Sequence, residues 1–103
     1  MQQVVFKMKL KPGFEEEYQK RHQAIWPELA QALKSAGISD YAIFQDPETS
    51  TLFAVQKRSG TSCQELGKTE IVQKWWAFMA DIMETHSDKT PVTVPLQKVF
   101  YLA

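Results

Sequence analysis

The sequence predicts a small α+β domain with the element order β-α-β-β-α-β, on three observations. Apolar and polar residues alternate from residue 4 to residue 10. Two longer stretches, 14–36 and 71–83, repeat their apolar residues at helical spacing. Between those stretches lie two short runs rich in apolar and β-branched residues, joined by a tight turn. A chain of 103 residues can bury one core without a disulfide or a metal, so residues 1–103 read as a single domain.

In 4–10, Val4, Phe6, Met8 and Leu10 point one way and Lys7 and Lys9 the other, the pattern of a half-buried strand. Lys11-Pro12-Gly13 turns the chain. At about 100° per residue, Phe14, Tyr18, His22, Ile25, Trp26, Leu29 and Leu33 fall within an arc of about 120°, one broad apolar face. Pro27 interrupts this stretch: it kinks one helix, or ends a first helix and starts a second as its first-turn proline. Gly37 closes the segment as a C-terminal cap.

Residues 38–45 form a second strand, with Tyr41 and Ile43 on one side and Ala42 and Phe44 on the other. Asp46-Pro47-Glu48-Thr49 turns it into a third strand over 51–57, which makes a hairpin. The polar stretch 58–68, with Gly60 and Gly67, is a loop with room for one helical turn. In 71–83, Ile71, Val72, Trp75, Trp76, Met79, Ile82 and Met83 span about 140° of a second helical face. Two prolines make 85–95 an irregular arm, and 96–102 is the last strand.

This order is the ferredoxin-like split pattern, an antiparallel four-stranded sheet with its helices on one face. The strands are apolar on both sides, Phe6 beside Val5, Phe44 beside Ile43 and Phe53 beside Leu52. A sheet with two apolar faces and helices on only one calls for a partner. A second copy packed sheet to sheet supplies it, giving a homodimer of the dimeric α+β barrel type.

Lys plus Arg and Asp plus Glu both number 12, so the chain carries no charge footprint for nucleic acid or an anionic membrane. No run approaches the roughly 18 apolar residues of a membrane span. The opening residues are not those of a signal peptide, and Cys63 is the only cysteine. A cytoplasmic protein is expected.

Candidate functional residues gather on the helical faces. His22 has an unperturbed pKa of about 6.5 and can take or give a proton near neutral pH; it can equally be a core histidine held by a hydrogen bond. Tyr18, one turn earlier, and Tyr41, on a strand, offer hydroxyls, or simply pack. Trp75-Trp76 suits a pocket that stacks on a sugar's C–H face, or forms core. Trp26 borders the Pro27 break and reads as core, and spacing alone does not bring Asp40 or Glu28 to His22. Cys63 has no adjacent base. His86 lies in a polar arm and reads as solvated. Metal-ligand and nucleotide-loop motifs are absent, so no metal and no cofactor are expected.

The strings E-E-Y-Q-K-R-H-Q-A-I-W-P-E-L, D-Y-A-I-F, Q-K-W-W-A-F-M-A-D-I-M and P-L-Q-K-V-F-Y-L-A resemble those of the L-rhamnose mutarotase family, in the same order and over essentially the whole chain. The chain departs from that pattern between Gln56 and Gly67, where Lys57 and Arg58 stand in a segment expected to be more acidic. The resemblance implies the dimeric α+β barrel fold and cofactor-independent exchange of the α and β anomers of L-rhamnose. It implies His22 as proton donor, and Tyr18, Tyr41, Trp75 and Trp76 as substrate contacts. Two other classes remain open on this fold: a haem- or small-molecule-binding enzyme, and a non-catalytic sugar-binding module.

Overall fold

The computed structural model describes residues 2–60 and 62–103, apart from the side chains of 62–64. Its elements are β1 (Gln2–Lys9), α1 (Glu15–Gln23), α2 (Pro27–Ser35), β2 (Ile38–Asp46), β3 (Thr51–Arg58), a 3₁₀ segment (Ser62–Lys68), α3 (Glu70–Met79) and β4 (Thr93–Pro95). The strands lie in the order β2-β3-β1-β4, and the neighbouring pairs are antiparallel. This is the ferredoxin-like α+β fold expected from the sequence.

Of the two readings of Pro27, the structure takes the second. Pro27 opens α2 at a position where its missing N–H costs nothing. Trp26 before it is extended, with ψ 128°, because the proline ring disfavours helical backbone at the preceding residue. Gly37 follows α2 at φ +87°, and a Cβ there would run into the Ser59 carbonyl. Only glycine serves both the turn and the contact.

Strand pairing fixes the two faces of the sheet. Phe6 opposite Ala54, Met8 opposite Leu52 and Ile43 opposite Ala54 place one row toward the helices. There Leu52 and Ala54 are wholly buried together with Ile82, and Tyr18, Leu29, Val72, Trp75 and Met79 complete the core. Val5 opposite Val55, and Phe53 opposite both Lys7 and Phe44, form the other face, which no helix covers. Phe44 is 60% exposed on it.

Two expectations need correction. The helix predicted over 71–83 ends at Met79. Ile82 and Met83 still bury their side chains, but from a turn and from a bridge between Met83 and Leu10. The last strand is Thr93–Pro95, inside the arm read as irregular, and 96–102 forms no strand. Three residues pair with β1, and beyond them only the Leu96 N–H reaches back, to the Val5 carbonyl at 2.9 Å. Pro95 withholds a ladder donor, and in the tail beyond it Val99, Phe100, Tyr101 and Leu102 are exposed.

Arg21 locks α1 to the end of α3. Its guanidinium donates to both Asp81 carboxylate oxygens at 2.9 and 3.1 Å, to the Phe78 carbonyl at 2.8 Å and to Glu17 at 2.8 Å. Gln45 on β2 donates to the Glu15 carbonyl at 2.9 Å and fixes the start of α1. Both ends of the helix that carries Tyr18 and His22 are therefore held.

Candidate functional site

A cavity of about 1880 Å³ lies between the helices and the sheet face they cover, and Tyr18, His22, Tyr41, Trp75 and Trp76 all line it. On α1, Tyr18 and His22 sit one turn apart with ring centroids 4.3 Å from each other. The Trp75 ring meets His22 with centroids 5.4 Å apart and planes perpendicular, so α3 supplies the imidazole's second wall. Tyr41 enters from β2 beside an irregularity between Ser39 and Ala42, where Asp40 takes φ +46°. Alternation puts Tyr41 on the cavity face with Ile43, and the irregularity shifts the pairing of the residues before it.

The imidazole is oriented by its own helix. His22 Nδ1 lies 3.1 Å from the Tyr18 carbonyl oxygen. A carbonyl only accepts, so Nδ1 carries the hydrogen and Nε2 is left for other partners. Burial lowers the His22 pKa below its ordinary value, and the bond to the Tyr18 carbonyl opposes that shift in part. The ring therefore rests neutral at pH 7, with a lone pair on Nε2.

The two tyrosines stay protonated. Burial raises the Tyr18 pKa far above that of free tyrosine, and nearby Tyr41 adds to the effect. Tyr41 is raised by burial as well, with the Arg58 cation pulling it back in part. Neither phenol is a base at neutral pH; each offers a hydroxyl to hydrogen-bond.

The tryptophans divide. Trp75 is 8% exposed and belongs to the core. Besides His22 it touches Trp26 at 5.0 Å and Phe78 at 5.6 Å. Trp76 is half-buried and packs over Gly67, where an added Cβ would sit 3.1 Å from the indole ring. Trp26 stands behind Trp75 and supports it.

No carboxylate hydrogen-bonds to His22 among the described residues. Asp40 lines the cavity but pairs with Lys57 at 3.3 Å and is largely exposed. Glu28 opens α2 in its first turn, away from the cavity lining. His86 is exposed, as expected for a solvated residue. Cys63 lies in the 3₁₀ segment, and its side chain is outside the described part of the structure. Among the described residues no group of three or more His, Cys, Asp or Glu side chains could hold a metal, and no helix is long and apolar enough to cross a membrane. Sequence reasoning passed over two cavity residues, Gln56 and Arg58 on β3. The signal was in the alternation: both fall on the same row as Leu52 and Ala54, which is otherwise apolar.

The family model for L-rhamnose mutarotase matches residues 3–102. The chain is 57% identical over 103 residues to an L-rhamnose mutarotase of Bacteroides thetaiotaomicron, covering 99% of each chain. It is 55% identical over 103 residues to one of Phocaeicola vulgatus, with the same coverage. The crystal structure of an L-rhamnose mutarotase from Formosa agariphila matches it over the full length of both chains, with TM-score 0.94 and 51% identity. An antibiotic biosynthesis monooxygenase shares the fold alone, with TM-score 0.62 and 13% identity over 96% of this chain and 99% of that one.

Proposed function

The chain belongs to the L-rhamnose mutarotase family, and from that premise we propose that it interconverts the α and β anomers of L-rhamnose, with His22 moving the proton. The observation that carries this reading is the bond from Nδ1 to the Tyr18 carbonyl, which holds a neutral imidazole with Nε2 free in a cavity with ample room for a sugar.

Ring opening breaks the C1–O5 bond, makes the C1 carbonyl and moves one proton from the O1 hydroxyl to O5. Both oxygens sit on the same carbon, so one imidazole can serve both. Nε2 takes the proton from O1 as the bond breaks, and the imidazolium returns it to O5. Rotation about C1–C2 presents the other carbonyl face, and the same transfers in reverse close the ring. The proton donation implied by the resemblance is the second half of this shuttle. Oxidation state does not change, so the reaction needs no cofactor. The Tyr18 and Tyr41 hydroxyls hold sugar hydroxyls, and Trp76 with Trp75 faces the sugar's C–H surface and C6 methyl.

A pH profile tests the resting state. With neutral His22 as the starting form, kcat/KM holds level above the His22 pKa and falls as pH drops through it. The inflection should lie below the ordinary value of about 6.5, because burial disfavours the cation. A rate that instead falls as pH rises through that region would make the imidazolium the starting form and reverse the order of the two transfers.

The reading includes a cytoplasmic homodimer. The lone Cys63 suits a reducing compartment. The uncovered sheet face carries Phe44, Phe53, Val5 and Val55, and the tail exposes Val99, Phe100, Tyr101 and Leu102 by 67–92%. Exposed apolar surface on this scale calls for a partner, and a second copy offers the same two surfaces in return. Sedimentation at micromolar concentration should give a particle of two 11.9 kDa chains, and deleting residues 98–103 should weaken it. A native protein that sediments as one chain would overturn the dimer.

A further inference from the structure

Most of the cavity's sheet-side floor is apolar, built from Phe6, Met8 and Ile43. Gln56 and Arg58 break that pattern. They follow Leu52 and Ala54 on the inward row of β3, and pairing with Val4 and Gln2 of β1 holds them there. Gln56 is 2% exposed. A buried amide costs stability unless its groups are partnered, and valine or leucine would satisfy the fold at that position. Arg58 donates from Nε to the Gln56 amide oxygen at 2.5 Å.

That bond sets the chemistry of the pair. With its oxygen occupied, Gln56 has only its NH₂ to present, and a guanidinium has donors alone. Among the described residues no other side chain engages the Arg58 guanidinium. Two donor groups therefore stand side by side on the cavity floor, suited to acceptor oxygens. Tyr41 is next to them: Ala42 pairs with Val55, which puts Tyr41 at the level of Gln56 on the same face. Gln56, Arg58, Tyr41 and Tyr18 line the same cavity as His22. The donor pair thus adjoins the group of side chains around His22.

We infer that Gln56 and Arg58 form a specificity-determining subsite that donates hydrogen bonds to adjacent hydroxyl oxygens of the bound sugar. The inference rests on the mutarotase reading and assigns the hydroxyl recognition within it. A site that hydrogen-bonds a hydroxyl discriminates strongly against an analogue lacking it, because its own buried donors are then left unpartnered.

The test compares the native protein with Gln56→Met and Arg58→Met. Anomer exchange is measured by NMR and sugar binding by tryptophan fluorescence, on L-rhamnose and its 2-, 3- and 4-deoxy analogues. Methionine matches glutamine in length, is shorter than arginine by the end of the guanidinium, and removes the donors in both. Each substitution should raise the half-saturation concentration for L-rhamnose about tenfold, with a much smaller change in turnover at saturation. The penalty that the native protein imposes on one or two of the deoxy analogues should shrink toward none in the variants. Native exchange with unchanged half-saturation in both folded variants would overturn the subsite and leave the mutarotase reading standing. A loss spread equally over all four sugars would overturn it too, since that is damage rather than recognition. If the native protein neither exchanges nor binds L-rhamnose, both readings fall together. Gln56→Glu, which keeps the shape and exchanges the donor for an acceptor, replaces Gln56→Met if that variant does not fold.

Discussion

Replacing His22 with alanine lowers the catalysed anomer exchange by about 10²- to 10⁴-fold and leaves the protein folded. In barrier terms that is roughly 3 to 5.5 kcal/mol. The size follows from the site, because no carboxylate or other hydrogen-bonded base stands by to take over among the described residues. The fold survives because the imidazole lines an open cavity, so its removal enlarges existing space instead of sealing a void in the core. Exchange rates from NMR, read beside a circular-dichroism melting curve, separate the two effects. A folded His22→Ala protein with the native rate would remove His22 from the mechanism.

The second large effect is on stability. Trp75→Ala should cost about 3–5 kcal/mol of unfolding free energy, the range for truncating a buried tryptophan. Trp75 is 8% exposed, and its ring touches His22, Trp26 and Phe78, so the cavity left behind cannot collapse freely. Trp76→Ala should cost much less stability, since Trp76 is only half-buried, and should raise the half-saturation for sugar instead. Denaturant unfolding and saturation curves on both variants check the contrast. Equal stability losses, or binding lost only with Trp75, would mean that the two rings have been given the wrong parts.

The two adjacent tryptophans look equivalent in sequence, and that is where reading by periodicity stops. Residues 100° apart on a helix both touch an apolar arc of 140°, but only the packing of α3 against α1 decides which ring meets His22. Tyr18 and His22 were legible because i and i+4 on a single helix must face the same way. Trp26 extended the same spacing on paper. Pro27 begins a new helix there, and Trp26 is turned behind Trp75. The element order was legible from the change of period between strands and helices. The last strand was not: the alternation in 96–102 is real, but a strand needs a neighbour, and β1 offers its free edge to Thr93–Pro95. Gln56 and Arg58 were visible as polar interruptions of an inward row. That inference needed the pairing of β3 with β1, which a single strand does not reveal.

The most direct measurement of the central claim is saturation-transfer proton NMR on L-rhamnose at anomeric equilibrium. One anomeric proton is irradiated and the other observed, with and without protein, at a pH where the spontaneous exchange is slow. Transfer that appears with the native protein, grows in proportion to its concentration and collapses in His22→Ala is the result this account predicts. Correctly folded native protein that leaves the transfer at the protein-free level would contradict it.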